Sequence, residues 1–400
     1  MTVEQPIPIK RIFLLMLFIA FTCIFASDMH IPSLPAINHS LQTSESLTQL
    51  TVTLFFLGIC IGQLLVGPFS DRFGRRPVLI IGLSISIIGS LVCAIAANIE
   101  TLLLGRFIQG LGAAGGFGLV RSACTDLYRG NRLAQVSSYL WMVIALAPAL
   151  APIAGGYVQT YFDWHVNFRI QSVIFCVAIL LTFFLLPETN RHLNPMATKI
   201  SHIRITIWAL LKHPSFMLYV FCSGITLSGT MSYFAVSAYL YQETLLLSPS
   251  QNGWLAVGVT AGMIMGNFLN TSLLNHYPMN FLMKIGFCLM FGSGLFMVIC
   301  AGFGLISIAL LLGPMIIYII GSNFIYTNAG ASALTDRQGH AGLANSLFSC
   351  IQMVITFVGG SFAAYMPSQN QLPLGLMLTS IGITGICVMT FVVSKREMCK

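Results

Sequence analysis

About twelve long apolar stretches dominate this sequence, and a helix of roughly twenty apolar residues can cross the hydrocarbon core of a bilayer. Only 8% of the residues are charged, whereas a soluble domain carries roughly 25% charged residues. The sequence therefore predicts an all-α membrane protein. The predicted spans are residues 12–34, 47–69, 77–97, 101–123, 135–158, 166–187, 214–241, 251–274, 280–302, 305–328, 341–363 and 373–394.

Lysine and arginine residues are distributed unevenly over the segments between these spans. If the amino terminus lies inside, the cytoplasmic segments hold nearly all of them and the outer loops hold Arg169 alone. This is the positive-inside pattern, so both termini are predicted to be cytoplasmic. The net charge of +8 then reflects membrane topology, and no nucleic-acid partner is expected.

A short charged turn, GPFSDRFGRRP at residues 67–77, joins the second and third spans. Gly67 and Gly74 permit a tight turn, and the charged side chains can contact neighbouring helix ends. These side chains are Asp71, Arg72, Arg75 and Arg76. The order resembles the G-x-x-x-D-R-x-G-R-R/K signature found between the second and third helices of the major facilitator superfamily.

This resemblance implies that the turn gates the conformational change. Asp126 is then a predicted partner of the arginines in a cytoplasmic latch, and the free amides at residues 339–342, where the eleventh span starts, would receive Asp71. The alternative is a solvated basic loop that only fixes the topology.

Two ionisable side chains lie at matching depth in the first and fourth spans. Asp28 precedes Leu34 by six residues, which places it about 9 Å below the outer boundary. Arg106 follows Thr101 by five residues, which places it about 7.5 Å below the same boundary. A charge at the centre of a span costs roughly 2.5–3.5 kcal/mol, so we expect a buried pair, or an exchange of partners during transport. A purely structural role is the alternative.

The residues around both side chains resemble motifs of drug transporters. Residues 27–35, SDMHIPSLP, resemble the T-D-M-Y-L-P-x-L-P element of the Bcr/CflA group, and Arg106 begins an R-x-x-Q-G pattern that resembles the fourth-helix motif of the superfamily. The resemblance implies that Asp28 and Arg106 couple transport to protons. His30 stands where the group has tyrosine. It can set the pH range of transport, or it can be a neutral packing imidazole.

The fifth span contains APALAPIAGG at residues 147–156. Pro148 and Pro152, followed by Gly155 and Gly156, predict a bent, slim helix that packs closely on a neighbour. The segment resembles the fifth-helix motif of proton-driven exporters, G-x-x-x-G-P-x-x-G-G, with its first glycine and its G-P step altered. The alternative is a kinked helix with no bearing on transport direction.

The polar stretch 188–213 divides the chain into a predicted N-terminal six-helix half, residues 1–187, and a C-terminal six-helix half, residues 214–400. In such an arrangement the substrate binds near the midplane between the halves. The candidate substrate contacts are Met29, Gln109, Tyr233, Tyr239, Asn267, Asn323 and Tyr326. Amides inside spans often only join helices, which is the alternative for such residues.

The resemblance implies a twelve-helix major facilitator transporter that exchanges small lipophilic drugs for protons. Its partners would be a small-molecule substrate, protons and the lipid bilayer of the bacterial inner membrane, where it would act as a monomer. The proton gradient would supply the energy, and neither another cofactor nor a metal is expected.

A carrier for a metabolite or a siderophore, moving it outward or inward, is the alternative within transport, and a membrane sensor or enzyme is a further one. The sequence contains neither an H-E-x-x-H pattern nor an ATP-binding G-x-x-x-x-G-K-[ST] loop. The eleven cysteines are scattered, and we interpret them as small apolar residues without a disulfide.

Overall fold

Helices form the regular structure of the described residues, which are 9–128, 130–190, 193–195, 208, 210–334, 341–367 and 370–397 of a computed structural model. This part of the chain contains no strand, so the predicted all-α fold is confirmed. The helices are α1 (Ile9–Asp28), α2 (Leu34–Leu41), α3 (Glu45–Phe73), α4 (Arg75–Ala94), α5 (Ile99–Leu127), α6 (Gly130–Tyr161), α7 (Trp164–Leu185), α8 (Pro214–Tyr239), α9 (Pro249–Leu273), α10 (Met279–Gly302), α11 (Ile308–Leu334), α12 (Ala341–Ala364) and α13 (Leu372–Glu397).

Eleven helical segments of the described residues are long and apolar enough to span a membrane, with α1 and α2 counted together as Arg11–Leu41. The remaining long helix, α9, has 25 residues and coincides with a predicted span, but amides such as Asn252, Asn267 and Asn270 interrupt its apolar sequence. A long helix therefore corresponds to every predicted span. We call α1–α7 the N half and α8–α13 the C half.

The first predicted span is broken, because α1 ends at Asp28 and a short 3-10 turn, Ile31–Ser33, follows before α2. Pro32 lacks the amide that would bond to the carbonyl of Asp28 four residues earlier, and its ring clashes with that carbonyl in a regular helix. The predicted first span, residues 12–34, therefore consists of α1, this turn and the start of α2. The break places Asp28 at a helix end, inside the bundle.

The glycine-rich segment of α5 brings three helices of the N half together. A Cβ atom on Gly110 would overlap the carbonyl oxygen of Phe55 on α3, and one on Gly112 would overlap the carbonyl oxygen of Gly82 on α4. Only glycine allows these backbones to approach so closely.

The most extensive contacts between the halves are those of α3 with α12 and of α6 with α9. The bundle has two distinguishable ends. The Asp71 end is the one at which α3 meets α4 at Gly74, and the α2 end is the opposite one. The predicted contact of Asp71 with residues 339–342 involves Gly339 and His340, which lie outside the described residues.

Candidate functional site

Asp28 is the last residue of α1, and its side chain is buried with 4% exposure. Ser27 Oγ donates a hydrogen bond of 2.6 Å to Asp28 Oδ1. The helix does not continue, so the last carbonyl groups of α1 lack the amide partners that a further turn would supply. A carboxylate and unsatisfied carbonyl groups therefore meet in an otherwise apolar part of the bundle.

Arg106 of α5 is fully buried and satisfies several of these acceptors. Its guanidinium donates to the carbonyl oxygens of Ala26 (3.0 Å) and Ser27 (3.1 Å) at the end of α1. It also donates to the carbonyl oxygen of Thr51 on α3, at 3.1 Å. Its Cζ atom lies 4.4 Å from the centre of the Phe55 ring, which adds a cation–π contact. The cation is thus stabilised by the negative end of α1 and by an aromatic face.

Asp28 and Arg106 do not form an ion pair within 4.0 Å, and no other ion pair of the described residues includes either of them. Of the two expected arrangements, the buried pair is not formed in this conformation, because the carbonyl groups that precede Asp28 bind the guanidinium instead. The helix break produces those free carbonyls. Arg106 therefore keeps its hydrogen bonds whether Asp28 carries a proton or not, and the exchange of partners stays a prediction.

Gln109 lies one turn along α5 and fixes the other side of Arg106. Its Oε1 atom accepts a 2.5 Å hydrogen bond from Arg106 Nη1, and its Nε2 atom donates to Ser90 Oγ and to Gln171 Oε1, both at 2.7 Å. The side chain is fully buried between α4, α5 and α7. These bonds occupy its amide inside the N half, so the geometry favours a structural role over the predicted substrate contact.

His30 is fully buried in the turn after α1. Its Nε2 atom lies 3.3 Å from Thr51 Oγ1, and its ring centre lies 5.8 Å from that of Phe168. Among the described residues, no group meets hydrogen-bond geometry with its buried Nδ1 atom. Thr51 therefore connects the two residues: its hydroxyl group contacts His30, and its carbonyl oxygen accepts a hydrogen bond from Arg106. The spacing of these residues in the sequence does not reveal this connection.

The glycine pair of α6 packs against the break in α1 and against the start of α9. A Cβ atom on Gly155 would overlap the Met29 carbonyl oxygen, and one on Gly156 would overlap the Pro249 carbonyl oxygen. Pro148 and Pro152 lie within α6, which continues through both. The predicted slim surface is present, and it contacts both halves at the α2 end.

Side chains of the C half close over the same break. Tyr239 donates a 3.3 Å hydrogen bond to the Leu34 carbonyl oxygen, and Gln242 donates a 2.8 Å bond to that of Pro32. His39 Nε2 lies 3.3 Å from a carboxylate oxygen of Glu243. The two halves are therefore in direct contact at the α2 end.

A small cavity lies beside these contacts, and Tyr233 is the one predicted substrate contact that lines it. The Tyr233 hydroxyl lies 3.0 Å from that of Tyr241, which lines the same cavity. Ile31 and Pro32 of the α1 break line the same cavity. Two tyrosine hydroxyl groups and the segment that follows Asp28 therefore border one cavity.

Four other predicted substrate contacts do not line this cavity. Met29 is buried, with its carbonyl group against Gly155, and Asn323 donates to the Ile319 carbonyl oxygen of its own helix at 2.9 Å. Asn267 and Tyr326 are exposed on α9 and α11. The structure does not gather these four side chains into one site.

At the Asp71 end, Arg75 connects two acids. Its Nη1 atom lies 2.6 Å from Asp71 Oδ1, and its Nε atom lies 3.2 Å from Asp126 Oδ2. Arg72 stacks on the neighbouring Phe73 ring, and Gly67 lies against Ser346 of α12. The predicted contact between Asp126 and an arginine of the turn is thus present in this structure, within the N half.

Sequence analysis missed Glu188, which follows α7 and binds the start of α4. Its carboxylate accepts hydrogen bonds from the backbone amides of Arg75 (2.8 Å) and Arg76 (3.1 Å). An anion at the amino end of a helix is stabilised by free amides and by the helix dipole. Gly74, with φ of 100°, leads into this contact, and a Cβ atom there would overlap the carboxylate.

The chain is similar in sequence to one family model and to several known proteins. The model of the Major Facilitator Superfamily matches residues 16–364. A bicyclomycin resistance protein homolog of Haemophilus influenzae is 28% identical over 373 residues, which cover 93% of each chain. Multidrug resistance protein D of Escherichia coli is 26% identical over 359 residues, which cover 90% of this chain and 89% of that one.

The crystal structure of a peptide transporter, POT, has the same fold. It superposes with a TM-score of 0.78 over 100% of this chain and 96% of its own, at 14% sequence identity. An identity this low shows the fold alone.

Proposed function

The chain belongs to the Major Facilitator Superfamily, and we propose that it exports small lipophilic drugs in exchange for protons. The observation that carries the proposal is the buried Asp28 carboxylate at the break in α1, beside an Arg106 whose hydrogen bonds do not depend on it. A carboxylate within a membrane span is costly to keep and typically marks a proton or ion pathway, which supports a proton-carrying role of Asp28. The names of the two relatives, which refer to bicyclomycin and multidrug resistance, support a drug substrate.

In the proposed cycle, the halves rock so that a site between them faces each side of the membrane in turn. The contacts at the α2 end hold that side shut, and substrate enters from the Asp71 end. Proton binding to Asp28 and substrate binding compete through the α1 break, whose residues Ile31 and Pro32 line the cavity with Tyr233. Inward movement of one net charge at 100 mV supplies roughly 2.3 kcal/mol, enough for about a fifty-fold gradient.

The remaining parts of the proposal follow from the charge distribution and the family. The protein resides in a bacterial inner membrane with both termini in the cytoplasm, so the Asp71 end faces the cytoplasm. It works as a monomer, needs no cofactor beyond the proton gradient and binds no nucleic acid.

Inverted membrane vesicles test this function directly. Vesicles with an acidic lumen should accumulate at least one lipophilic drug from a panel that also contains metabolites and siderophores. A protonophore should abolish accumulation, and vesicles without the protein provide the control. Accumulation of a metabolite or a siderophore alone would contradict the assignment of a drug substrate.

Loss of the Asp71 charge should favour opening of the Asp71 end, because the predicted contact of Asp71 with the free amides at residues 339–342 would join the two halves only when this end is closed. Asp71→Asn removes the carboxylate charge, and a helix-terminus interaction of about 0.5–1 kcal/mol made only in the closed state changes the ratio of closed to open populations by roughly two- to five-fold. Electron–electron resonance distances between spin labels at Phe73 and Tyr277, both exposed at this end, measure that ratio.

The labels require a background in which the native cysteines are replaced by serine. Glu100→Gln, at an exposed acid at the start of α5, serves as the matched control and should leave the distances unchanged. Identical distance distributions for Asp71→Asn and the parent protein would count against a gating role of Asp71.

A further inference from the structure

Cys60 of α3 and Cys350 of α12 meet at the interface of the two halves. Their Sγ atoms are 2.9 Å apart, although the residues are separated by 290 positions in the sequence. Both side chains are buried, with 3% and 6% exposure, and both are free thiols. A disulfide bond length of about 2.05 Å requires the two sulfur atoms to approach by only about 0.9 Å.

The pair lies near the middle of both helices. Toward the α2 end, Thr53 contacts Gly360, and toward the Asp71 end, Gly67 lies against Ser346. When two halves rock against each other, the ends of such an interface separate more than its middle. A covalent bond at this position therefore holds the interface together while the ends stay free to move.

An exposed apolar side chain lies one helical turn from each of the two thiols. Leu64 and Val354, each four residues after one of the cysteines, are 37% and 39% exposed. On a helix, a residue four positions away lies on the same face, one turn along. A neutral oxidant that dissolves in the membrane can therefore reach the pair more readily than a charged one.

We propose that Cys60 and Cys350 form an oxidisable dithiol site that closes a disulfide between the halves. The oxidant class is a neutral, membrane-permeant two-electron acceptor such as a quinone or a diazene. One S–S bond forms, two S–H bonds break, and the acceptor takes up both protons and both electrons. A reductant with two thiol groups reverses the reaction. The site is independent of the transported substrate.

Diamide, a neutral diazene, provides the test on the full chain in lipid nanodiscs. After oxidation and alkylation of the remaining thiols, mass spectrometry should find the Cys60 peptide joined to the Cys350 peptide, and dithiothreitol should separate them. A bond that closes so long a loop should raise the midpoint of thermal unfolding by about 3 °C or more. In sealed inverted vesicles, transport by the oxidised protein should stay within about twofold of that by the reduced protein, because the bond lies at the middle of the interface.

Three variants sharpen the result. Cys60→Ser and Cys350→Ser should each abolish the cross-link and the thermal shift, whereas Cys222→Ser, at a buried thiol of α8, should keep both. The comparison of oxidised and reduced parent protein remains valid even if one variant folds poorly. Full alkylation of Cys60 and Cys350 after oxidation, or a thermal shift that persists in Cys60→Ser, would overturn the proposal.

Discussion

Replacing Gly155 with alanine is expected to lower transport at least about fivefold. The added Cβ atom would overlap the Met29 carbonyl oxygen, a backbone atom in the break of α1 that cannot move without displacing the turn. Overpacking of this kind costs typically 1–3 kcal/mol, which changes the population of the closed α2 end by roughly five- to 150-fold. Substrate uptake into inverted vesicles measures the loss, and labelling of a cysteine placed at the buried Ser237, which lines the cavity beside the α2-end contacts, reports opening of the α2 end.

Gly313→Ala is the matched control for this variant. Gly313 also lies within a helix, α11, but among the described residues no atom outside the adjoining backbone of α11 lies within 4 Å of the position that its Cβ would occupy. Transport and labelling should therefore match those of the parent protein. If Gly155→Ala behaves like Gly313→Ala in both measurements, the contact between α6 and the α1 break does not control closure.

The helices themselves could be predicted from sequence because apolar runs of membrane length leave few alternatives to a helix. Helix α1 is the exception, because the apolar pattern does not show where it ends. Its apolar residues continue past Asp28, and only the missing amide of Pro32 ends the helix there. A helix prediction from apolar residues alone counts those residues, so it misses a helix break that is caused by a single proline.

The partner of Arg106 shows a second limit. The depths estimated from residue positions correctly placed Asp28 and Arg106 at the same level, because Arg106 binds the residues just before Asp28. Side-chain charges suggested a carboxylate partner, but backbone carbonyl groups are the acceptors. Sequence shows every carboxylate, whereas it does not show which carbonyl groups a helix end leaves free.

Contacts between remote segments were the least predictable part of the structure. Glu188 caps α4 from a distance of more than a hundred residues, and Gln171 supports Gln109 from another helix. The residues next to Glu188 and Gln171 in the sequence give no sign of these contacts. Their roles depend on which helices pack together, and the sequence of one chain carries no direct record of that.

Asp28→Asn should abolish uptake driven by a pH gradient while leaving the protein folded in the membrane. Asparagine has the same shape and keeps an oxygen that can accept the hydrogen bond from Ser27, but it cannot carry a proton across the membrane. Arg106 should keep its bonds to the carbonyl groups of Ala26 and Ser27, so the local structure is expected to persist. Uptake into inverted vesicles should fall by about two orders of magnitude or more, to the level without protein, because one essential proton step is lost.

Two comparisons separate a proton-carrying role of Asp28 from a structural one. Exchange of labelled for unlabelled substrate without a gradient should survive in Asp28→Asn, because substrate binding and rocking need no ionised carboxylate in this scheme. Arg106→Lys keeps the charge but loses the planar fork that reaches several acceptors at once, so it should weaken both uptake and exchange. Gradient-driven uptake by Asp28→Asn at the parent rate would show that another group carries the proton, and His30, which shares Thr51 with Arg106, would be the next residue to replace.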